Sequence, residues 1–432
     1  MRRLVLVALA LCIALPLSAD FRTRRERLAG KLEDRVLLLF ASTEEEGQNA
    51  MGVFRQNNDF YYLTGWNEPG AALLLAAAKD DRPYTEILFL PGRNVTQERW
   101  TGPKLAATDA GAARITGFDR VEPLDRLRDE LVSIVPSPRG TVLTDRTIGE
   151  IPIAWLRRAN AFPNYVRLAD ARPVIAELRL IKDAQEIALI RKATDATVAA
   201  HRAGLRAIRP GVTENEMAGL MEYEFRRGGC QTPAFSSIVG SGANSTVLHY
   251  SANSGTIQAG DVVVIDIGAE CSHYASDVTR TLPASGRFTP RQREIYQIVL
   301  DAQQAAVSAF QAGVSTIGRD APDTLYKVAY DVIEKHGLGR YFIHGLSHYV
   351  GLHVHDAGDG ARPLQAGAVF TIEPGIYIPE EKIGVRIEDT YLVREDGSLE
   401  CLSCGAPKTV AEIERAITSR TPAALPTRSR RR

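Results

Sequence analysis

Asp266 lies in an apolar run, Asp261-Val-Val-Val-Ile-Asp266-Ile-Gly-Ala. With a side-chain period of two it shares a face with Val264 and Val262. A carboxylate on such a face is costly to desolvate unless it is paired or bound to a cation. Eleven residues on, across an expected hairpin, comes Asp277 in Tyr-Ala-Ser-Asp277-Val-Thr-Arg-Thr. Two acids on adjacent strands can face one point, either as hydrogen-bonded neighbours or as metal ligands, and these two residues leave both readings open. His344-Gly-Leu-Ser-His348-Tyr-Val-Gly-Leu-His353-Val-His355-Asp356 then concentrates four of the chain's eight histidines in thirteen residues. Glu373 follows the strand-like Val-Phe-Thr-Ile at a Pro-Gly turn, and Glu388 lies in Gly-Val-Arg386-Ile-Glu388-Asp-Thr. Asp, Asp, His, Glu, Glu is an oxygen-rich set with one imidazole. It suits two divalent ions, Mn, Co or Fe as readily as Zn, and does not suit a four-coordinate structural zinc.

The elements that must position these groups fall into two parts. Residues 20 to about 170 alternate strand-like runs (Val36–Phe40, Ala72–Ala77, Ile87–Leu90) with helical stretches such as Pro123–Ile134, the pattern of a compact α/β domain. The pattern changes at Ala171-Arg172-Pro173. Asp183 with Glu186, and Thr213 with Glu216, are capping-box signatures that start two helices; the first runs to Ile208 and the second ends at Gly228-Gly229. Strands dominate from Phe235 onward, with helices expected at about 290–312 and 320–336. The order of two helices followed by strands appears twice, which hints at an internal duplication. Strands over Ala368–Ile372 and Val385–Val393 precede a short helix at 408–417. The domain reading is therefore 1–19 leader, 20–172 N-terminal α/β domain, 173–417 α+β catalytic domain and 418–432 basic, disordered tail.

The whole chain has 432 residues, 45% hydrophobic and 24% charged, which is ordinary globular composition. Its two termini hold seven arginines and no acid, so the body between them carries a net charge of −7. That argues against a nucleic-acid partner, which needs a clustered basic face. Arg2-Arg3, the apolar run Leu4–Leu15, Pro16 and Ser18-Ala19 have the order of a secretory signal peptide. Export to the periplasm or medium with no stable membrane span after cleavage is expected, an uncleaved anchor being the alternative. Cys230, Cys271, Cys401 and Cys404 are too few for a disulfide framework; Cys401-x-x-Cys404 reads as a local disulfide or two ordinary thiols.

Taken together, these motifs resemble the pita-bread metallopeptidases, in particular aminopeptidase P and its relative prolidase. The resemblance covers nearly all of the chain after the leader: residues 180–415 carry the catalytic motifs, and Phe54-Arg-Gln-Asn-Asn-Asp-Phe-Tyr-Tyr-Leu-Thr-Gly65 is similar to a stretch of the family's N-terminal domain. It implies Asp266, Asp277, His348, Glu373 and Glu388 as ligands of two divalent ions, most often Mn²⁺, with Asp277 and Glu388 bridging. Two cations sharing a water lower its pKa towards neutrality and polarise the scissile carbonyl. Glu373 would handle the proton. His249, in Val-Leu-His-Tyr, and His355 would contact substrate from opposite sides, and His344 and Arg386 would line a proline pocket. The chain departs from the family at His353, where an acid is usual two residues before His355.

The activity so implied is hydrolysis of the N-terminal Xaa-Pro bond of peptides with proline at the second position, by a homo-oligomer, dimer or tetramer. Such a bond needs a dedicated pocket, because proline lacks an amide hydrogen and kinks the chain. Cleavage of free Xaa-Pro dipeptides is the alternative within the same chemistry. A methionine aminopeptidase has no large domain like residues 20–170, and a metal-free creatinase-like enzyme need not retain the ligand set. A non-catalytic binding module on this fold would be expected to lose ligands. Phe60, Tyr61, Tyr62 and Trp66 could face the cleft, though core packing is the better expectation for them.

Overall fold

The computed structural model describes residues 21–48, 53–78, 83–135, 140–145 and 166–419. The expected leader and the tail from residue 420 onward lie outside the described residues, and no helix among those described is long and apolar enough to cross a membrane. The N-terminal part is built on a six-stranded sheet of β1 (Val36–Phe40), β2 (Ala72–Ala76), β3 (Thr85–Leu90), β4 (Arg120–Pro123), β5 (Thr141–Thr144) and β6 (Arg167–Asp170), in the order β4-β3-β2-β1-β5-β6. β1 is Val-Leu-Leu-Leu-Phe, and each of its five residues is buried. A continuous apolar run is what a strand covered on both faces requires. Leu37, Leu39, Leu73 and Leu75 enter one core and Val36, Leu38, Phe40 and Leu74 the other.

The first of those cores extends to Val350, Leu352 and Val354, far along the chain. Polar contacts cross the same boundary. Arg24 donates to Asp183 at 2.6 Å, Arg55 to Glu270 at 2.8 Å and to the Leu352 carbonyl at 2.5 Å. The helix Arg172–Leu180 carries Arg179, which pairs with Asp59 at 2.7 Å and with Asp356; Lys182 reaches Asp356 at 3.0 Å. The helix Asn58–Thr64, capped by the Asn57 side chain and closed by Gly65 at φ +65°, buries Phe60 and Tyr62. These two aromatics are core residues. Tyr61 stacks on His273 with ring centroids 4.0 Å apart, and Trp66 sits beside a separate groove of the N-terminal part.

In the catalytic part both expected capping boxes form, opening the helices Ala184–Ala207 and Glu214–Arg227. The strands follow as β7 (Thr232–Pro233), β8 (Ile238–Ser241), β9 (Val262–Ile267), β10 (Ala269–Cys271), β11 (Tyr274–Ala275) and β12 (Val278–Pro283). A second helix pair, Pro290–Ala309 and Leu325–Glu334, precedes β13 (Val369–Ile372), β14 (Gly375–Ile378), β15 (Ile383–Arg386), β16 (Asp389–Val393) and β17 (Leu399–Cys401). The expected single strand Val385–Val393 is two strands. Residues up to Arg386 pair with β14, and those from Asp389 pair with β13. The Ile387 amide turns to the Pro374 carbonyl and the Glu388 amide to the Thr279 carbonyl. The last helix is Val410–Thr418, so Thr418 belongs to it rather than to the tail.

The cysteines pair as Cys230–Cys271 and Cys401–Cys404. The first pair, 41 residues apart in sequence, ties the end of a helix to β10 and was not expected.

His201 on the long helix is buried, and its Nε2–H donates to the Val278 carbonyl at 2.9 Å. Burial, with the charge of Arg280, lowers its pKa to about 4. The unfolded chain binds a proton near pH 6.5 that the folded chain refuses. Stability is therefore complete above pH 6.5 and falls as the pH drops towards about 4, by up to about 3 kcal/mol. His201→Gln should flatten the pH dependence of the melting temperature in that window; an unchanged slope would reject this role.

Candidate metal centre and substrate cavity

β9 and β12 pair antiparallel with Asp266 opposite Thr279, so Asp277, two residues before Thr279, projects from the same face as Asp266. The short hairpin β10–β11 lies in the connection. Its approach depends on Gly268, where a Cβ would stand 1.9 Å from the Ser276 carbonyl oxygen. His348 runs beside β13, accepting the Thr371 amide at its carbonyl and donating its own amide to Thr371 Oγ1, while Glu373 follows that strand immediately. Proline 374 cannot extend the ladder. The chain bends there, opposite the break at Ile387-Glu388, and each bend carries a glutamate.

The five side chains converge. His348 Nδ1–H donates to the Tyr349 carbonyl at 3.1 Å, which leaves the Nε2 lone pair facing inward. That nitrogen lies 3.4 Å from Asp277 Oδ2, 3.3 Å from Glu373 Oε1 and 4.0 Å from Glu388 Oε1. Thr371 Oγ1 donates to Glu373 at 3.2 Å, Thr279 Oγ1 to Glu388 at 2.7 Å, and Arg386 to Asp266 at 2.7 Å. Beyond these bonds Asp266 Oδ1, Asp277 Oδ1 and Glu388 Oε1 are buried with no protein partner. Burial, reinforced by the neighbouring carboxylates, pushes Asp277 and Glu388 well above the usual carboxylate range; burial also raises Glu373. So many carboxylates cannot all ionise side by side in a buried site without cations. Orphaned hard oxygens with one imidazole nitrogen fit divalent ions.

Asp266, Asp277, His249 and His355 line a cavity of about 210 Å³ with Phe235, Ser236, Ile238, Ser251 and Val354. The ring of His355 lies 4.2 Å from that of His348, and burial foremost lowers its pKa to about 4. Behind the carboxylate cluster, Arg386 donates to Tyr377 Oη at 2.8 Å and Tyr377 donates to His344 Nε2 at 2.9 Å. His344 Nδ1–H is spent on the Gly345 carbonyl at 2.7 Å, and burial, with the charge of Arg386, lowers its pKa to about 4. The structure thus gathers all nine residues singled out in the sequence around one site. At the departure, His353 Nδ1 lies 3.0 Å from the His355 carbonyl and 3.2 Å from the His355 amide, and its tautomer sets which of the two it bonds. Asp356, pinned by Lys182 and Arg179, supplies the acid of this loop.

Four contributors were missed. Tyr377 has no chemical signal in the sequence, although its register on β14 places it on the face of Arg386. Thr279 and Thr371, each two residues from a candidate ligand, orient Glu388 and Glu373. Glu214 is buried and accepts from the Ser241 amide and hydroxyl, Asn244, the Gly255 amide and Tyr250, fixing the segment that carries His249. Burial opposes its ionisation, but the bonds from Asn244 and Ser241 win and hold its pKa below the usual range.

Residues 188–395 match the model of metallopeptidase family M24, and residues 21–143 that of the aminopeptidase P N-terminal domain. The Xaa-Pro aminopeptidase of Escherichia coli K12 is 34% identical over 429 residues, covering 91% of this chain and 96% of that protein. This chain belongs to the aminopeptidase P family of M24 metallopeptidases. The solved structure of E. coli aminopeptidase P with the inhibitor Pro-Leu matches with a TM-score of 0.80 at 32% identity, over 93% of this chain and 98% of that one. An Xaa-Pro dipeptidase of Pyrococcus furiosus is 43% identical, but over only 52% of this chain and 64% of its own length. Both the catalytic domain and the N-terminal domain of the aminopeptidase P family are therefore present, in the pita-bread fold expected of them.

Proposed function

We infer that this metallo-aminopeptidase removes the N-terminal residue from peptides with proline in second place, using two divalent ions, with Mn²⁺ the preferred metal and Co²⁺, Fe²⁺ or Zn²⁺ the alternatives. The observation that carries the metal reading is the cluster of buried carboxylate oxygens left without partners around His348 Nε2. Asp277 and Glu388 would bridge the ions, Asp266 would hold one, and His348 with Glu373 the other. When bound, the ions activate the attacking water and polarise the scissile carbonyl. Glu373 accepts the water proton on its carboxylate and later returns it to the leaving amine. His249 donates to the carbonyl, His355 reaches the carbonyl or the departing amide from the opposite side, and His344, held neutral, shapes the proline pocket with Tyr377 and Arg386. The leader-like residues 1–19 support export.

Prolidases must grip the free carboxylate of proline, whereas an aminopeptidase needs an open route for the rest of the peptide. An Xaa-Pro-Xaa tripeptide should therefore be cleaved with higher kcat/KM than the matching Xaa-Pro dipeptide, with Mn²⁺ and with Co²⁺. A tenfold preference for the dipeptide, about 1.4 kcal/mol of transition-state discrimination, would make the enzyme a dipeptidase.

A further inference from the structure

The disulfide Cys401–Cys404 closes a four-residue loop at the end of β17, and nothing in the reaction above uses it. Its two sulfurs differ in access. Cys404 is exposed and Cys401 half-buried, whereas both members of Cys230–Cys271 are buried, at 4% and 0% exposure. Lys408 Nζ lies 3.7 Å from Cys404 Sγ, a cation placed to stabilise a thiolate there.

The loop is also laced to the strands that carry the metal-ligating residues. Cys401 pairs with Tyr391 between β17 and β16, and the Leu402 amide donates to the Thr390 carbonyl at 2.9 Å. Ser403, between the cysteines, accepts the Thr390 amide at 3.0 Å and donates to Asp389 at 2.7 Å. Thr390 Oγ1 in turn donates to the Asp277 carbonyl at 2.7 Å. Arg280 holds the Ala406 and Pro407 carbonyls while also holding the carbonyl of Glu388 at 2.6 Å. Asp277 is therefore two hydrogen bonds from the loop that the disulfide closes, and Glu388 is joined through Arg280 to the Ala406-Pro407 segment that follows it.

We propose that Cys401–Cys404 is a thiol–disulfide exchange site whose substrate is a dithiol, and that opening it loosens the seats of Asp277 and Glu388. A thiolate of the dithiol attacks the exposed Cys404 Sγ, the Cys401–Cys404 bond breaks, and Cys401 leaves with the electron pair and takes up a proton. The second thiol of the reagent attacks the mixed disulfide. Cys404 departs as a thiolate beside Lys408, then takes up a proton, and the dithiol leaves as its own disulfide. Two electrons and two protons pass from dithiol to cysteine pair. This proposal rests on the ligand roles given to Asp277 and Glu388.

The test uses the full, metal-loaded chain poised in mixtures of reduced and oxidised dithiothreitol. Part of each sample is alkylated for peptide mass analysis; the rest is desalted without air and assayed for kcat and bound metal. Cys401 and Cys404 should be alkylated before Cys230 and Cys271, with kcat falling about tenfold at the same midpoint, the scale of losing an outer support of a metal ligand. Cys401→Ser combined with Cys404→Ser should show the reduced-state kcat and no response to the reagent; if that variant does not fold, the wild-type titration decides alone. Full alkylation of Cys401 and Cys404 with kcat and metal unchanged, or earlier opening of Cys230–Cys271, would overturn the proposal. An oxidised wild type that binds no divalent metal would instead fail the ligand reading itself.

Discussion

Glu388→Ala and Asp277→Ala are each expected to lower kcat/KM by about a thousandfold or more, the several kcal/mol that metal-centred charge stabilisation supplies, while leaving the protein folded. Each residue offers a buried oxygen without a protein partner, and each carboxyl is pushed up by burial and by its neighbours. In the proposed centre, removing either one would take away a ligand that both ions share. In the metal-free protein the same change relieves repulsion among crowded acids, so the metal-free variants should melt no lower than metal-free wild type. Elemental analysis, kcat/KM and thermal melts with and without metal check the three parts together. Near-normal turnover in either variant at matched metal occupancy would sink the dinuclear mechanism.

Arg280→Met is expected to destabilise the fold by about 3–5 kcal/mol, the usual result of breaking a fully buried ion pair from one side. Arg280 has no exposed surface and donates to five acceptors: the carbonyls of Thr279, Glu388, Ala406 and Pro407, and the Asp389 carboxylate at 2.6 Å. Burial opposes ionisation of Asp389, yet Arg280 and Lys408 hold its pKa down at about 2. Methionine fills much of the arginine's volume but satisfies none of those oxygens, and Lys408 alone must then compensate the charge. Denaturant titration of the metal-free protein measures the loss without the contribution of metal binding. A change below about 1 kcal/mol would mean that Lys408, Gln303 and Ser403 suffice for Asp389.

Much of this was legible in the sequence because the informative residues are local. Asp183 with Glu186 and Thr213 with Glu216 announce helix starts within one turn, and β1 declares its burial in five consecutive letters. The five candidate ligands could be singled out for a different reason: each sits inside its own short motif, and together they form an oxygen-rich set with one imidazole. What failed to show is long-range. The break at Ile387-Glu388 exists because two different strands, β14 and β13, claim successive stretches of one run. Glu214 looks like a helix-start acid, and its five donors come from residues 27 to 41 positions away. Cys230–Cys271 likewise closes only when helix and strand meet in space. Thr279 and Tyr377 carry no chemical signature of their own; only register gives them partners.

The loop bearing His355 hangs, through Asp356, from Lys182 and from Arg179 on a helix that also grips Asp59. A chain started after residue 182 would keep every metal ligand and lose both cations that neutralise a buried carboxylate next to a substrate-facing histidine. The segment 179–182, tied to the amino-terminal part through Asp59, thus braces from behind the loop that brings His355 to the cavity. Evolutionary trimming, limited proteolysis or a recombinant boundary placed there would cost the enzyme its catalytic geometry before it cost it a single ligand.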